Sequence, residues 1–318
     1  MKSIVTGAAG FVGSHLCEYL IAEGDDVLGI DSFTDYYDPA IKEFHLRGVL
    51  GSGRFQLLRA DLRELPLAAL LRDADVVYHL AGQPGVRPSW GTEFETYVAR
   101  NVLATQALLE AARGLPLKKF VYASSSSVYG DAETYPTAET LRPRPVSPYG
   151  VTKLAAEHLC ELYRIGFGVP TASLRLFTVY GPRQRPDMAF ARLVAAGAHR
   201  GVFELYGEGT QTRDFTYVED VVRGMRAAAQ SGFTGVANIG GGSRVSMNQV
   251  LAIAEELGLQ PIVRRCPSQR GDVRDTAADI RTAFLGFGYV PQVTVRKGLA
   301  AMITDEQLVA RVPVGTTR

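Results

Sequence analysis

The chain has 318 residues, 46% of them hydrophobic and 21% charged, with 34 basic and 33 acidic side chains. A chain of this length buries enough apolar surface to fold without disulfide or metal staples, which excludes the class of small stapled modules. Its formal net charge of +1 argues against a broad basic surface for nucleic acid or anionic lipid.

The cysteines and the hydropathy of the chain bear on where the protein works. Cys17, Cys160 and Cys266 form no CxxC pair, which is typical of free thiols in a reducing compartment. No run of 18 apolar residues is present, and the first predicted strand begins at Lys2, so we expect neither a membrane span nor a signal peptide. The histidines show no metal-ligand spacing. We therefore expect a cytoplasmic protein that binds no metal, membrane or nucleic acid.

The first half of the chain alternates strand and helix patterns. Strands are predicted at 2–6, 25–31, 54–61, 75–81, 118–126 and 169–177. Helices are predicted from Phe11 to Gly24, at about 92–113 and at 148–166. This alternation predicts right-handed βαβ units, and therefore an α/β fold with a doubly wound parallel sheet of Rossmann type.

The pattern loosens from Gly181 onward, where glycine and proline are frequent and helices are short. A strand and turn are predicted at 203–209, and Ser246 with Gln249 predicts a capping box at the start of a helix over 247–257. We expect residues 1–178 to form a dinucleotide-binding domain and residues 179–318 a smaller substrate-binding lobe. The segment 235–242 is expected to return to the large domain.

A glycine turn joins the first strand to its helix and predicts a dinucleotide site. Gly7, Gly10 and Gly13 permit a tight turn and bring a helix N-terminus to the pyrophosphate. Asp31 ends the second strand, 24 residues after Gly7, where a carboxylate binds a ribose diol and repels a 2′-phosphate. The segment after it contains no arginine, which favours NAD over NADP. Asp61 ends the third strand and either reaches the adenine amino group or caps the next helix.

A second group of residues predicts acid–base chemistry. Tyr149 and Lys153 are four residues apart on a predicted helix and share one face, and a serine cluster at 124–127 ends the strand before them. The bland alternative is a surface pair. A phenol is a weak base near neutral pH, but a neighbouring ammonium and a charged nicotinamide ring would favour its phenolate. Tyr149 would then take a proton from a substrate alcohol while a hydride leaves for the cofactor, with a serine holding the same oxygen.

The chain resembles the extended short-chain dehydrogenases/reductases, and among them the NAD-dependent nucleotide-sugar epimerases. The resemblance is carried, in order, by GAAGFVG, HLAGQPGVRPS, SSSSVYG, the Tyr149–Lys153 spacing, GPRQRPDMAF and TRDFTYVEDVV. The run at 177–190 is most similar to that of UDP-glucuronic acid 4-epimerases. The resemblance implies a UDP-sugar substrate, NAD as cofactor and a homodimer formed through the helices at about 92–113 and 147–166.

The resemblance also implies roles for individual residues. Ser125, Tyr149 and Lys153 match the catalytic positions. The implied NAD contacts are Gly7, Gly10, Phe11, Val12, Gly13, Asp31, Ser32, Asp61, Leu62, Leu80, Ala81, Gln83, Tyr149 and Lys153. The implied substrate contacts are Arg87, Ser127, Thr178, Arg185, Tyr206, Arg213 and Asp272. For Arg87 and Arg185, a solvated surface charge is the lesser alternative.

The residues before VYG bear on the reaction. Related dehydratases carry an Asp-Glu pair there and related decarboxylases a Glu, whereas this chain has Ser126 and Ser127. Without that carboxylate, return of the hydride is the economical outcome, which is epimerisation at C4 through a transient 4-keto sugar. Ser127, Thr178 and Arg185 favour a C6 carboxylate, and hence conversion of UDP-glucuronate to UDP-galacturonate.

Other functions remain open at this stage. A C6 alcohol also binds hydroxyls, so a 4-epimerase of UDP-glucose or UDP-N-acetylglucosamine is the main alternative. A decarboxylase or dehydratase of the same family comes next, followed by an NAD-binding protein without turnover.

Overall fold

The computed structural model of the protein describes residues 1–268, 271 and 273–309. Six strands lie in the first half: β1 (Lys2–Thr6), β2 (Asp26–Asp31), β3 (Phe55–Arg59), β4 (Val76–His79), β5 (Lys119–Ser125) and β6 (Thr171–Leu176). The helices between them are α1 (Phe11–Ala22), α2 (Pro39–His45), α3 (Leu67–Leu71), α4 (Phe94–Tyr97), α5 (Ala104–Ala112) and α6 (Pro148–Phe167).

The second half contains shorter elements. Its strands are β7 (Val179–Tyr180), β8 (Val202–Tyr206), β9 (Thr212–Asp214), β10 (Thr216–Tyr217), β11 (Gly235–Ile239), β12 (Arg244–Ser246) and β13 (Ile262–Cys266). Its helices are α7 (Ala189–Ala198), α8 (Val218–Gln230), α9 (Met247–Glu256), α10 (Arg281–Phe287) and α11 (Val295–Val309). The predicted capping box at the start of α9 is confirmed, since Ser246 and Gln249 each accept the other's backbone N–H.

Seven strands form one parallel sheet in the order β11–β6–β5–β4–β1–β2–β3. The predicted doubly wound α/β fold is therefore confirmed. Strand β11 comes from the second half of the chain and pairs with β6 from Gly235 opposite Ala172 to Ile239 opposite Leu176. The strand order reverses between β1 and β4, which is where a doubly wound sheet opens a crevice at its carboxyl edge.

Both faces of the sheet are covered by apolar helix faces. Residues of α1, α8 and α10 pack on one face, and residues of α3, α5 and α6 pack on the other. A third core lies among α7, α9, α11, β8 and β10, all in the second half of the chain. None of the helices in the described part of the chain is long and apolar enough to cross a membrane.

The helix predicted over 92–113 is interrupted. A π-helical segment, Val98–Leu103, separates α4 from α5. It carries Asn101 inward, where its amide accepts from the Gln83 N–H at 2.6 Å and donates to the Thr152 hydroxyl at 3.0 Å. The π-helical turn therefore brings an amide against Gln83, which lines the cavity described below. The apolar periodicity of the segment does not reveal this contact.

Both ends of helix α6 are fixed by capping residues. The Ser147 hydroxyl caps its N-terminus by accepting from the Gly150 N–H at 3.1 Å, and Pro148 occupies the first helical position. Gly168 ends the helix in a left-handed conformation with φ of +71°. These caps fix the register that places Tyr149 in the first turn of α6 and Lys153 one turn later.

Candidate active site

The carboxyl edge of the large sheet opens into a cavity of about 460 Å³. It gathers most of the residues singled out in the sequence, although they are spread over 170 positions or more of the chain. Lining it are Gly7, Gly10, Phe11, Val12, Gly13, Asp31, Ser32, Asp61, Leu62, Leu80, Ala81, Gln83, Ser125, Ser127, Tyr149, Lys153, Thr178 and Arg185. Within the described residues no group of three or more His, Cys, Asp or Glu side chains is placed to hold a metal ion.

The glycine turn is built for close backbone approach. Gly7 has a φ of +71°, and a Cβ there would lie 2.8 Å from the Ala81 nitrogen. A Cβ on Gly13 would lie 2.0 Å from the Gly7 carbonyl oxygen, so α1 meets the turn only if that residue is glycine. The turn leaves the N-terminus of α1 facing the cavity, which fits a dinucleotide pyrophosphate.

Asp31 is held at the end of β2 by three donors. Its carboxylate accepts from the Phe33 N–H at 2.8 Å, the Ala9 N–H at 3.1 Å and the Lys42 ammonium at 3.2 Å. Both side chains of the Asp31–Lys42 pair are less than a tenth exposed. Lys42 also lines the cavity, and sequence reasoning missed it because nothing in the local pattern of α2 marks it as more than a surface lysine. A carboxylate fixed in this way fits a ribose diol.

Asp61 caps the turn after β3, as one of its two interpretations predicts, and the adenine contact stays a prediction. It caps the short 3₁₀ turn at Leu62–Glu64 by accepting from the Arg63 N–H at 3.0 Å. It also pairs with the Arg63 guanidinium at 2.8 Å, and that hydrogen-bonded pair lowers the pKa of the carboxyl below its usual value. Because the side chain lines the cavity as well, capping does not exclude a contact with the adenine.

Tyr149 and Ser125 meet at the other end of the cavity. Burial raises the pKa of the Tyr149 phenol, and the hydrogen bond with Ser125 and the charge of Arg185 only partly oppose it. The expected phenolate is therefore not the resting form of the chain by itself. The Ser125 hydroxyl donates to Ser127 Oγ at 3.1 Å and accepts from the Ser127 N–H at 3.1 Å.

Lys153 is buried beneath the same end. Burial lowers the pKa of its ammonium to about 8, while Cys160 and Glu157 act in the opposite direction. The ammonium lies 4.6 Å from the centre of the Tyr122 ring, a cation–π distance. Lys153 is therefore mostly charged at neutral pH.

A buried ionic network lies behind these residues. Glu157 accepts from the Ser124 hydroxyl at 2.7 Å and pairs with Arg175 at 2.5 Å, and both charged side chains are about 5% exposed or less. Arg175 also donates to the Tyr129 hydroxyl at 2.7 Å. The network joins the residue before Ser125 to α6 and to the VYG segment, so it supports from behind the end of the cavity where Ser125 and Tyr149 lie.

Arg185 and Thr178 line the cavity beside the second half of the chain. The Arg185 guanidinium makes two 3.0 Å bonds to Asp187 and lies 5.8 Å from the centre of the Tyr36 ring. Tyr36, Tyr37 and Arg100 also line the cavity and were not singled out from the sequence. Each comes from a loop or an inward helix turn, whose position depends on tertiary packing.

Three of the implied substrate residues are not among the residues lining this cavity. The Arg87 guanidinium stacks on the Tyr206 ring at 4.2 Å. Arg213 donates to the carbonyls of Arg274, at 2.8 Å, and Val273. Asp272 lies outside the described residues. Arg87 and Tyr206 thus join the first and second halves of the chain at a contact outside the lining of this cavity.

The sheet, the glycine turn and the Ser125–Tyr149–Lys153 group together define a nucleotide-binding enzyme of the short-chain dehydrogenase/reductase type. A family model described as the NAD dependent epimerase/dehydratase family matches residues 3–240. The chain belongs to this family.

Similar proteins extend over nearly the whole chain. An uncharacterized UDP-glucose epimerase, YtcB, from Bacillus subtilis is 43% identical and covers 94% of this chain and 96% of its own. A UDP-glucuronate 4-epimerase from Thermodesulfobacterium geofontis is 35% identical, with 93% of both chains covered. A crystal structure of UDP-glucuronic acid 4-epimerase from Bacillus cereus, in complex with UDP-glucuronic acid and NAD, has a TM-score of 0.93 at 44% identity, covering 97% of this chain and 100% of that one.

Proposed function

We propose that this protein epimerises UDP-glucuronate to UDP-galacturonate at C4, with NAD as its cofactor. One observation carries the choice of reaction. Among the lining residues that the structure describes, the acids are Asp31, which ends β2, and Asp61, which follows β3, both at one end of the cavity. The end that holds Ser125 and Tyr149 offers hydroxyls and no carboxylate among the described lining residues, so it lacks the additional acid–base group that elimination would use beside Tyr149.

The chain's own residues perform the proton transfer. Tyr149 takes the proton of the sugar 4-hydroxyl, and Ser125 holds the same oxygen. Lys153 keeps a positive charge beneath them, which favours the anionic form of the phenol as the reaction proceeds. When bound, NAD accepts a hydride from C4 and returns it.

Inversion requires the sugar to present both faces. The 4-keto sugar turns in the cavity, so that C4 receives the hydride on the face opposite the one that lost it. Tyr149 then returns the proton to the C4 oxygen. No net oxidation occurs, so the cofactor is regenerated in every turnover.

A uronate needs its carboxylate held, because its 4-keto form is a β-keto acid that loses carbon dioxide. Ser127, Thr178 and Arg185 line the cavity and supply two hydroxyls and a guanidinium. Hydrogen bonds to a charged group stabilise it by about 1.5–3 kcal/mol each. We assign these three residues to the C6 carboxylate, which favours UDP-glucuronate over a neutral sugar. The name of the Bacillus subtilis relative keeps UDP-glucose as the second candidate.

The test is to follow UDP-glucuronate, UDP-glucose and UDP-N-acetylglucosamine separately with the purified protein by NMR. UDP-galacturonate should form fastest, without UDP-pentose. Faster conversion of UDP-glucose would contradict the proposed substrate and leave a neutral-sugar epimerase. No product from any sugar would indicate an NAD-binding protein without turnover.

We also propose that the enzyme is a cytoplasmic homodimer of two-lobed subunits, with residues 1–178 and 235–242 binding NAD and the rest forming the substrate lobe. Leu103, Leu162 and Ile165 are more than half exposed on the helices expected to pair, whereas Leu109 is fully buried within its own subunit. A monomeric mass at micromolar concentration would contradict the dimer.

A further inference from the structure

The loop at residues 181–188, with the sequence GPRQRPDM, joins β7 to α7 and faces two ways. Its Arg185 and Met188 line the cavity. Its Pro182 and Arg183 contact α1 instead. The loop therefore contacts α1 within two residues of Arg185.

Arg183 is bound to α1 by an ion pair. Its Nη2 lies 2.8 Å from both carboxylate oxygens of Glu18, and its Nη1 lies 3.4 Å from the Ser14 hydroxyl and from the His45 carbonyl. The pair is half-buried, with 20% of the Arg183 side chain and 32% of the Glu18 side chain exposed. Four acceptor contacts on one guanidinium allow it little freedom.

The backbone of Arg183 shows the same constraint. Its φ is +62°, in the left-handed region that side chains other than glycine rarely adopt. Such a conformation persists only where surrounding contacts hold it. The contacts of the guanidinium with Glu18, Ser14 and His45 help to hold it, and the backbone N–H of Arg183 also bonds to the Asp305 carboxylate of α11.

A second bond to α1 lies next to the first. The His15 ring donates from Nε2 to the Pro182 carbonyl at 2.9 Å. Burial, and then the charge of Arg183, lower the pKa of His15 to about 4, so the ring is neutral at physiological pH. Gln184 joins the loop to both elements that flank it, because it donates to the Val179 carbonyl of β7 at 3.0 Å and accepts from the Ala191 N–H of α7 at 2.8 Å.

Helix α1 thus connects the glycine turn with the 181–188 loop. Its first residues, Phe11 and Val12, line the cavity at the glycine turn, and Glu18 lies two turns later on the same helix. We propose that Glu18 and Arg183 are positioning residues whose ion pair fixes the 181–188 loop on α1 and so places Arg185 against the substrate carboxylate. The inference rests on the proposed function, because it needs Arg185 to bind a uronate.

The variant Glu18→Gln removes the charge and keeps the shape of the side chain. We expect KM for UDP-glucuronate to rise about threefold to tenfold, with kcat and the KM for UDP-glucose changed less than about twofold, since a displaced Arg185 loses part of a charged hydrogen bond. Amide hydrogen exchange at 183–188 should become faster. Arg183→Gln should show effects at least as large as Glu18→Gln, because it also removes the contacts with Ser14 and the His45 carbonyl. The double variant should show no more than the effect of Arg183→Gln, because the Glu18–Arg183 contact is shared.

Asp75→Asn is the matched control. The Asp75 carboxylate is 30% exposed, pairs with Lys118 at 2.9 Å and lies just before β4, at the edge of the sheet opposite the cavity. This variant should leave exchange at 183–188 and the KM ratio of the two sugars unchanged.

The outcomes separate the two proposals. Unchanged exchange in Glu18→Gln would overturn the positioning role whatever the substrate is. Faster exchange with an unchanged KM ratio would overturn it too, because the pair would then hold the loop without placing Arg185. A wild-type protein inactive on UDP-glucuronate would overturn the proposed substrate, while the exchange measurement would still decide whether the pair holds the loop.

Discussion

The two sides of the cavity are held by different kinds of ionic contact. On the side of the large sheet, the Glu157–Arg175 pair is about 5% exposed or less and lies directly behind Ser125. On the side of the second half of the chain, the Glu18–Arg183 and Arg185–Asp187 pairs are 18–44% exposed and hold the 181–188 loop. The contrast indicates that the groups proposed for proton transfer are held by a buried ion pair, whereas those proposed to select the sugar are held by partly exposed ion pairs.

The largest effect is expected from Tyr149→Phe. The variant should keep its fold and its affinity for NAD but lose about two to four orders of magnitude in turnover, which is the usual contribution of a positioned acid or base. Turnover of UDP-glucuronate and a thermal shift with NAD measure the two parts. Tyr163→Phe, on the same helix but bonded to Glu110, is the control and should stay within a few-fold of wild type. Near-normal turnover in Tyr149→Phe would remove the phenol from the mechanism.

Breaking the buried pair should mainly cost stability. Glu157→Gln leaves Arg175 charged and buried without its partner, which lowers the free energy of unfolding by about 3–5 kcal/mol. The exposed pair on the same helix, Glu161 with Arg164, gives the comparison, because Glu161→Gln should cost about 1 kcal/mol or less. Urea unfolding measures both. Equal losses in the two variants would contradict the contrast drawn above.

Thr178→Val tests the part of the cavity proposed to bind the C6 carboxylate. The variant should slow UDP-glucuronate by about tenfold to a hundredfold and UDP-glucose much less, because it removes a hydrogen bond to a charged group. Some UDP-pentose should appear as the loosened keto acid loses carbon dioxide. Thr216→Val is a matched control, since its buried hydroxyl has no hydrogen-bond partner among the described residues. Equal loss of turnover for both sugars in Thr178→Val would show that the Thr178 hydroxyl does not bind the C6 carboxylate selectively.

The smallest expected effect is a shift in pH dependence. Lys153 has a pKa of about 8 and faces Glu157, Cys160 and the Tyr122 ring. Because its charge is lost above that pH, kcat/KM should fall on the alkaline side of about pH 8. Glu157 raises this pKa, so Glu157→Gln should move the fall to lower pH by about one unit or less. A fall that stays in place, measured on folded variant at low temperature, would show that Lys153 does not set it.

The fold was largely predictable because its signals are local. Alternating strand and helix patterns predict a parallel doubly wound sheet. The N-terminal caps of α6 and α9 are formed by single serines, Ser147 and Ser246. The break in the helix at 92–113 was not predictable, because it depends on Asn101 reaching Gln83 and Thr152 across the fold. Tertiary bonds override periodicity there.

The same distinction applies to the cavity. Residues at the ends of strands or in glycine turns could be placed together from the sequence, since parallel strands end at one edge of a sheet. The positions of Lys42, Tyr36 and Arg100 in the cavity could not be predicted, because no short-range sequence pattern indicates which segments fold back over that edge. For the 181–188 loop, the motif was visible, but the contact between Arg183 and Glu18 joins positions 165 residues apart.

The late position of β11 in the chain bears on how the protein is made. Strand β6 forms the edge of the sheet until residues 235–239 reach it, and α8, which covers one face, ends only at Gln230. The ribosome must therefore synthesise β7 to β10 of the second half of the chain before the seven-stranded sheet can be completed. An unpaired edge strand invites pairing with another chain. Nascent protein is thus most exposed to aggregation during the interval between synthesis of β6 and synthesis of β11.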